Sequence, residues 1–176
     1  MCKVYFTADW HLFHDNILTY CKRPFIDTEE MQASFLSNYN NKVTESDTVW
    51  VLGDLMMAGR RYKRELGIFI DKLNGTKHLV TGNHDRLSNR QYIDVGFSSV
   101  HTYFPFYFNS DSDKILLMHD PSTSVAFPDC DCFTAHVHGL WRRQIMDNGS
   151  RCINVGVDVW DYSPVSFDRL LEEIND

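Results

Sequence analysis

The chain is poor in three things. Its five cysteines, Cys2, Cys21, Cys130, Cys132 and Cys152, are odd in number and include no Cys-x-x-Cys pair. That removes the thiolate-rich structural zinc site and the disulfide-stapled scaffold, and it suits a reducing, cytoplasmic compartment. Cys130-Asp131-Cys132 has no second pair to complete a metal site and reads as ordinary loop and core thiols. Positive charge is also scarce: 17 Lys plus Arg stand against 24 Asp plus Glu, a net charge of -7. This disfavours broad electrostatic binding to a nucleic-acid backbone or an anionic membrane. Long apolar runs are missing too. Lys3-Val4-Tyr5-Phe6 is far too short for a signal segment or a membrane span, so no membrane partner is expected. No repeat, low-complexity tract or splitting linker interrupts the sequence. One domain over residues 1–176 is expected, with 43% hydrophobic residues supplying its core.

What the chain does have is histidine in the company of acids and amides. Six of its eight histidines fall in short clusters: Asp9-Trp10-His11-Leu12-Phe13-His14, Gly82-Asn83-His84-Asp85, His119-Asp120 and His136-Val137-His138, with Gly53-Asp54 between them. Imidazole, carboxylate and amide oxygen suit Mn, Fe, Zn and similar ions, and the layout is that of a two-metal site. Several clusters follow apolar, β-branched or aromatic runs (residues 3–6, 48–52 and 78–80) that read as buried strands. Functional groups at the carboxyl ends of sheet strands face one crevice, so residues far apart in sequence can share a site.

Between the clusters, Asp15-Asn16 caps a short helix through Cys21 that Arg23-Pro24-Phe25 breaks. A second helix starts at Asp27-Thr28-Glu29-Glu30, with Met31, Phe35, Leu36, Tyr39 and Val43 on its apolar face. Residues 60–73 read as a third helix, stopped at Asn74-Gly75. The strands on either side of it are expected to be parallel. Residues 98–109 and 114–118 read as two strands around an Asn-Ser-Asp-Ser-Asp turn, 132–135 and 152–155 as two more, and 166–174 as a closing helix.

Taken in order over residues 9 to 138, Asp-x-His, Gly-Asp, Gly-Asn-His-Asp, His and His-x-His resemble the calcineurin-like metallophosphoesterase superfamily. More narrowly, Asp9-x-His11-x-x-His14, Asn16-Ile17, Arg23-Pro24-Phe25 and Asn154-Val155-Gly156-Val157-Asp158-x-Trp160 resemble its small bacterial and phage phosphoesterases. Two positions depart from the pattern: Ala135 stands where Gly precedes His-x-His, and Met57 where another acid often follows Gly-Asp. The resemblance implies an α/β fold, a two-sheet β-sandwich flanked by helices in four αββα layers. It also implies two divalent ions, manganese by first choice and iron, zinc or nickel as alternatives. Asp9, His11, Asp54 and His138 would hold the first ion. Asp54, Asn83, His119 and His136 would hold the second, with the Asp54 carboxylate bridging. The implied reaction is hydrolysis of a phosphodiester or phosphomonoester, a nucleotide among the candidates, by in-line attack of a metal-bridging hydroxide. His84 would stabilise the phosphoryl oxygen or protonate the leaving oxygen, with Asp85 fixing its tautomer.

His14 is left with two readings, direct contact with metal or substrate and a hydrogen bond behind a ligand. Arg23, Arg86, Arg142 and Arg143 are candidate phosphate contacts, because guanidinium matches phosphate oxygens, each weighed against a solvated surface role. Trp10 and Trp141 are assigned to packing over base stacking, Asn154 and Asp158 to support of the metal-bearing loops, and His78 and His101 to no function. The rivals are a nuclease on DNA or RNA, a scaffold that has abandoned catalysis, and a protein phosphatase. Against the scaffold, all seven ligands and His84 are present; against the nuclease, there is no basic tract. The expected partner is a small phosphate ester or nucleotide, and no oligomer is assigned.

Overall fold

The computed structural model describes residues 2–57, 59–109 and 114–175. Strands β1 (Val4–Thr7), β2 (Thr48–Val51), β3 (Thr76–Val80) and β4 (Ser99–His101) are mutually parallel neighbours, and β10 (Val165–Ser166) adds antiparallel to the free side of β1. A second sheet has the order β5 (Tyr103–Tyr107), β6 (Lys114–Met118), β7 (Asp131–Thr134), β9 (Arg151–Asn154) and β8 (Arg143–Ile145). Its centre, β6-β7-β9, is parallel and its edges are antiparallel.

Alternation along each strand explains the layers. Tyr5, Val49, Val51 and Leu79 point to a core shared with Met31, Phe35 and Tyr39 of helix α2 (Thr28–Lys42) and with Leu66 and Ile70 of α3 (Lys63–Asp71). Their chain neighbours Phe6, Trp50, Leu52 and Val80 face the other way, onto Ile115, Leu117, Phe133 and Ile153 of the second sheet. Both faces of the inner strands are therefore apolar, which is why the sequence runs read as continuous rather than alternating. The outer face of the second sheet, Leu116, Met118, Cys132 and Cys152, is covered by Phe127, Trp141 and Met146. The architecture is the two-sheet α/β sandwich that the family resemblance implies.

Local chemistry sets the helix ends. Asp27 caps α2 by accepting the Glu30 N–H at 2.8 Å, with Glu29 and Glu30 in the first turn. Helix α1 is short, Asn16–Tyr20. The third helix is two pieces, a 3-10 turn over Gly59–Tyr62 and then α3, and the left-handed stop is Gly75 at φ 79°. Residues 98–109 are not one strand: the chain leaves the first sheet after His101 and enters the second at Tyr103. Helix α4 (Asn89–Asp94) is absent from the sequence expectations and carries a full capping box between Ser88 and Gln91. The closing helix is α5 (Phe167–Asn175). Most of the turn expected at 109–113 lies outside the described residues. No helix among the described residues is long and apolar enough to cross a membrane.

Candidate metal centre

Every candidate ligand sits beyond the carboxyl end of a strand. Asp9 and His11 follow β1, Asp54 follows β2, Asn83 follows β3, His119 follows β6, and His136 and His138 follow β7. The loops are tied to each other before any ion is considered. Asp9 N–H donates to Gly53 O (3.0 Å), His11 N–H to Asp54 O (2.9 Å) and Ala135 N–H to His119 O (2.8 Å). Other bonds join the loops of the two sheets directly: His136 N–H donates to Asp9 Oδ2 at 3.0 Å, Val157 N–H donates to Ala8 O at 3.1 Å, and His119 Nδ1 lies 2.7 Å from Leu52 O.

The seven side chains converge in two groups. Ligand atoms of Asp9, His11 and His138 all lie within 4.8 Å of one another, and so do those of Asp54, His119 and His136. Asp54 stands between the groups, its Oδ2 3.5 Å from His11 Nε2 and 3.4 Å from His119 Nε2. Asn83 Oδ1 lies 3.0 Å from both His119 Nε2 and His136 Nδ1. The fit to divalent ions can be tested on His11. Its ring is buried, yet neither Nδ1 nor Nε2 has a hydrogen-bond partner. A buried imidazole left unpaired costs free energy unless something else takes its lone pair, and the surrounding nitrogen and oxygen donors suit such an ion.

The backbone is strained to bring this about. Asp9, His11, Asp54, His136 and His138 all adopt positive φ, between 48° and 72°. Each left-handed non-glycine residue costs on the order of 1 kcal/mol or more and persists only where its surroundings impose it. Gly82 is needed for a different reason: a Cβ there would lie 2.2 Å from Asp54 Oδ1 and 2.6 Å from Asp54 N. Ala135, by contrast, is not among the positive-φ residues and is fully buried, so a methyl group is accommodated where the motif has glycine.

Comparison with known proteins identifies the family of the chain. The profile of the calcineurin-like phosphoesterase family matches residues 2–170. The chain is a calcineurin-like phosphoesterase. An uncharacterized protein of Methanocaldococcus jannaschii is 30% identical over 178 residues, spanning 99% of this chain and 92% of that protein. The gene 66 protein of Mycobacterium phage D29 is 27% identical over 201 residues, 100% of this chain and 98% of its own. A crystal structure of a protein of unknown function from Aquifex aeolicus superposes with a TM-score of 0.75 at 25% identity, covering 99% of this chain and all of that one.

The electrostatics of the phosphoesterase site are uneven. Burial drives His11 down to about 3, so its ring is neutral and its approach to Asp54 is not an ion pair. Burial also lifts the Asp9 carboxyl to about 6. Burial works against ionised Asp54, yet His119, the His84 N–H and His11 together hold it down at about 2. Burial likewise opposes charge on His119 and His138, but Asp54 and Asp9 raise the first to about 9, and Asp158 and Cys21 raise the second to about 10. Both rings are therefore protonated at pH 7 in the metal-free protein, and metal must displace those protons. Calorimetry at pH 7 in buffers of different ionisation enthalpy is expected to show about two protons released on loading, with affinity rising towards pH 9. Binding without proton release would contradict these charge states.

Several sequence expectations need correction. The Asp85 carboxylate turns to the backbone and not to the His84 ring: it accepts the N–H groups of Gly82 (2.8 Å), Asp54 (2.9 Å) and Leu55 (3.1 Å). Its part is to hold the two loops that carry Asp54 and Asn83 together. Arg23 is not a phosphate contact. Its guanidinium is buried, paired with Asp158 at 2.8 and 2.9 Å and donating to Asp9 O (2.7 Å) and Trp10 O (3.0 Å). Asp158 in turn accepts from His138 Nδ1 at 2.9 Å, so Arg23, Asp158 and His138 form one chain of contacts that fixes a candidate ligand. Arg142 lies over the Trp160 ring, 4.3 Å from its centroid, and donates to Val159 O, while Arg143 reaches Ile174 O. Arg86 is exposed and does not line the cleft beside the cluster.

The remaining residues fall as expected or add to the site. Trp10 is buried, its indole N–H on Thr7 Oγ1, and Trp141 packs on the second sheet. Asn154 supports the loop after β7 by donating to His138 O and Trp141 O. His78 stacks on Trp50 and shares Ser99 Oγ with His101. His14 lies at the cleft wall, 6.2 Å ring to ring from His11. Cys21 is an addition, its sulfur within 4.8 Å of ligand atoms of His138 and Asp158. No sequence motif marks it beyond its place just before Arg23.

Proposed function

We propose that the phosphoesterase is a dinuclear, metal-dependent hydrolase of a phosphodiester or phosphomonoester. Asp9, His11, Asp54 and His138 would hold one divalent ion, and Asp54, Asn83, His119 and His136 the other. The observation that carries this reading is the pair of ligand groups with Asp54 close to both, and the unpartnered His11 ring in the first of them. Ions bound there would supply Lewis acidity toward the phosphoryl group and lower the pKa of water. Mixed imidazole and oxygen donors suit manganese, with iron, zinc or nickel as competitors decided by availability. The five free cysteines suit action in a reducing cytoplasm.

The protein's own groups have separable tasks. His84 Nε2 stands 3.9 Å from Asp54 Oδ2 at the cleft edge, while its N–H holds Asp54 Oδ1 at 2.9 Å. The ring is placed to hydrogen-bond a phosphoryl oxygen or to return a proton to the leaving oxygen, and the backbone N–H keeps the bridging carboxylate oriented. Because the backbone contact survives truncation, His84→Ala is expected to retain both metals and lose about a hundredfold or more in kcat. Metal analysis and kinetics on the same sample check this, and undiminished turnover of a diester would remove His84 from the mechanism. The proposal as a whole is tested by hydrolysis of bis(p-nitrophenyl) phosphate and p-nitrophenyl phosphate after metal stripping and reconstitution. Turnover that returns with Mn, Ni or Zn supports it; protein loaded with two metals and inert toward both esters and toward nucleotides counts against it.

A further inference from the structure

Beside the two ligand groups lies an open cleft of about 890 Å³, with His11, His84, His136 and His138 among the residues that line it. Its other walls are unusually apolar for a site that handles phosphate. Tyr20 is 71% exposed, Leu140 82% and Met57 38%, and these three come from separate segments, the end of α1, the loop after β7 and the loop after β2. Large hydrophobic side chains gathered at one place on a surface mark a binding site, because each is held in water at a cost unless it has an occupant.

Two further observations narrow the occupant. The rings of His11, His14 and Tyr20 follow one another outward from the candidate metal centre, with centroids 6.2 Å apart at each step. A group leaving the centre along this line meets aromatic surface all the way to the rim. Cationic side chains, meanwhile, are almost missing. Lys22 is the only Lys or Arg among the described lining residues, and Arg23, Arg142 and Arg143 are engaged elsewhere. A chain of additional phosphates would find no guanidinium to pair with.

We infer that the cleft selects a phosphate ester with a single phosphoryl group whose leaving alcohol carries an uncharged aromatic ring, seated against Tyr20, Met57 and Leu140. This rests on the hydrolase reading above and specifies its substrate class. In the reaction, water oxygen bonds to phosphorus, the ester P–O bond breaks, and the ring-bearing oxygen leaves with a proton; no redox partner is required. Nucleoside polyphosphates and nucleic-acid strands fall outside the class.

Ligand binding tests the inference without relying on turnover. The metal-loaded full chain is titrated calorimetrically with phenylphosphonate and with methylphosphonate, which share a head group and differ only in the ring. Phenylphosphonate is expected to bind about tenfold more tightly, the size of effect a ring gains from aromatic and aliphatic contact. In the double variant Tyr20→Ala, Leu140→Ser the ratio should fall to near one. Both positions are largely exposed, so melting temperature and metal content should stay at wild-type values and confirm that the fold is intact. Equal affinities in the wild type, or a preference that survives the double variant, would overturn the inference. Turnover of bis(p-nitrophenyl) phosphate by the same samples separates it from its premise: a ring preference without hydrolysis would sink the reaction and leave the recognition standing.

Discussion

Asp54→Asn is expected to lower metal-dependent turnover by more than the ten- to hundredfold typical of losing an outer partner of a metal ligand, that is by about a thousandfold. The change is nearly isosteric, so the fold should persist. What disappears is the negative charge between the two ligand groups, 3.5 Å from His11 Nε2 and 3.4 Å from His119 Nε2. Two dipositive ions held close together repel, and a neutral amide offsets none of that repulsion. A second readout follows from the same residue. Asp54 is the group that most raises His119, so its loss should leave that ring neutral at pH 7 and cut proton release on metal loading from about two to about one. Unchanged turnover together with unchanged proton release would show that Asp54 is not shared between ions.

Asp158→Ala is expected to be the most damaging single change to the metal-free protein. Arg23 is sealed beneath the site and its charge is matched by the Asp158 carboxylate. Removing that partner strands a buried cation, a cost of about 3–5 kcal/mol. Replacing Arg23 with methionine at the same time removes the stranded charge, so the double variant should be more stable than Asp158→Ala alone, a coupling that urea denaturation resolves. Metal affinity should fall as well, by about ten- to a hundredfold, because His138 loses the acceptor on its Nδ1. A single variant as stable as wild type would mean that water reaches Arg23.

The seven candidate ligands could be read from the sequence because each occupies a short motif at the end of an apolar run, and the two sheets bring those ends together. The partners of Arg23 could not be. A guanidinium near these motifs reads as a solvated surface group or as a phosphate contact, and only the packed chain reveals Asp158, which lies 135 residues away. Asp85 failed for a related reason: adjacency to His84 in sequence suggested a side-chain contact, while the turn sends its carboxylate to backbone donors instead. The split of residues 98–109 was hidden because the crossing falls at Thr102, itself a strand-forming residue, while the proline of the run, Pro105, lies inside β5. The apolar wall of the cleft was equally hidden, since Tyr20, Met57 and Leu140 come from three segments that carry no shared motif.

The order of ligands along the chain carries a consequence for how the protein is made. A nascent polypeptide emerges amino end first. When Asn83 has left the ribosome, Asp9, His11, Asp54 and Asn83 are available, but the three remaining histidines arrive only with the second sheet. Even then the Arg23 contact waits for Asp158, and the edge of β1 waits for Val165–Ser166. Chains that stop before His138 thus hold only part of the candidate chelating set, and chains that stop between His138 and Asp158 hold all of it but leave the Arg23 guanidinium without its carboxylate.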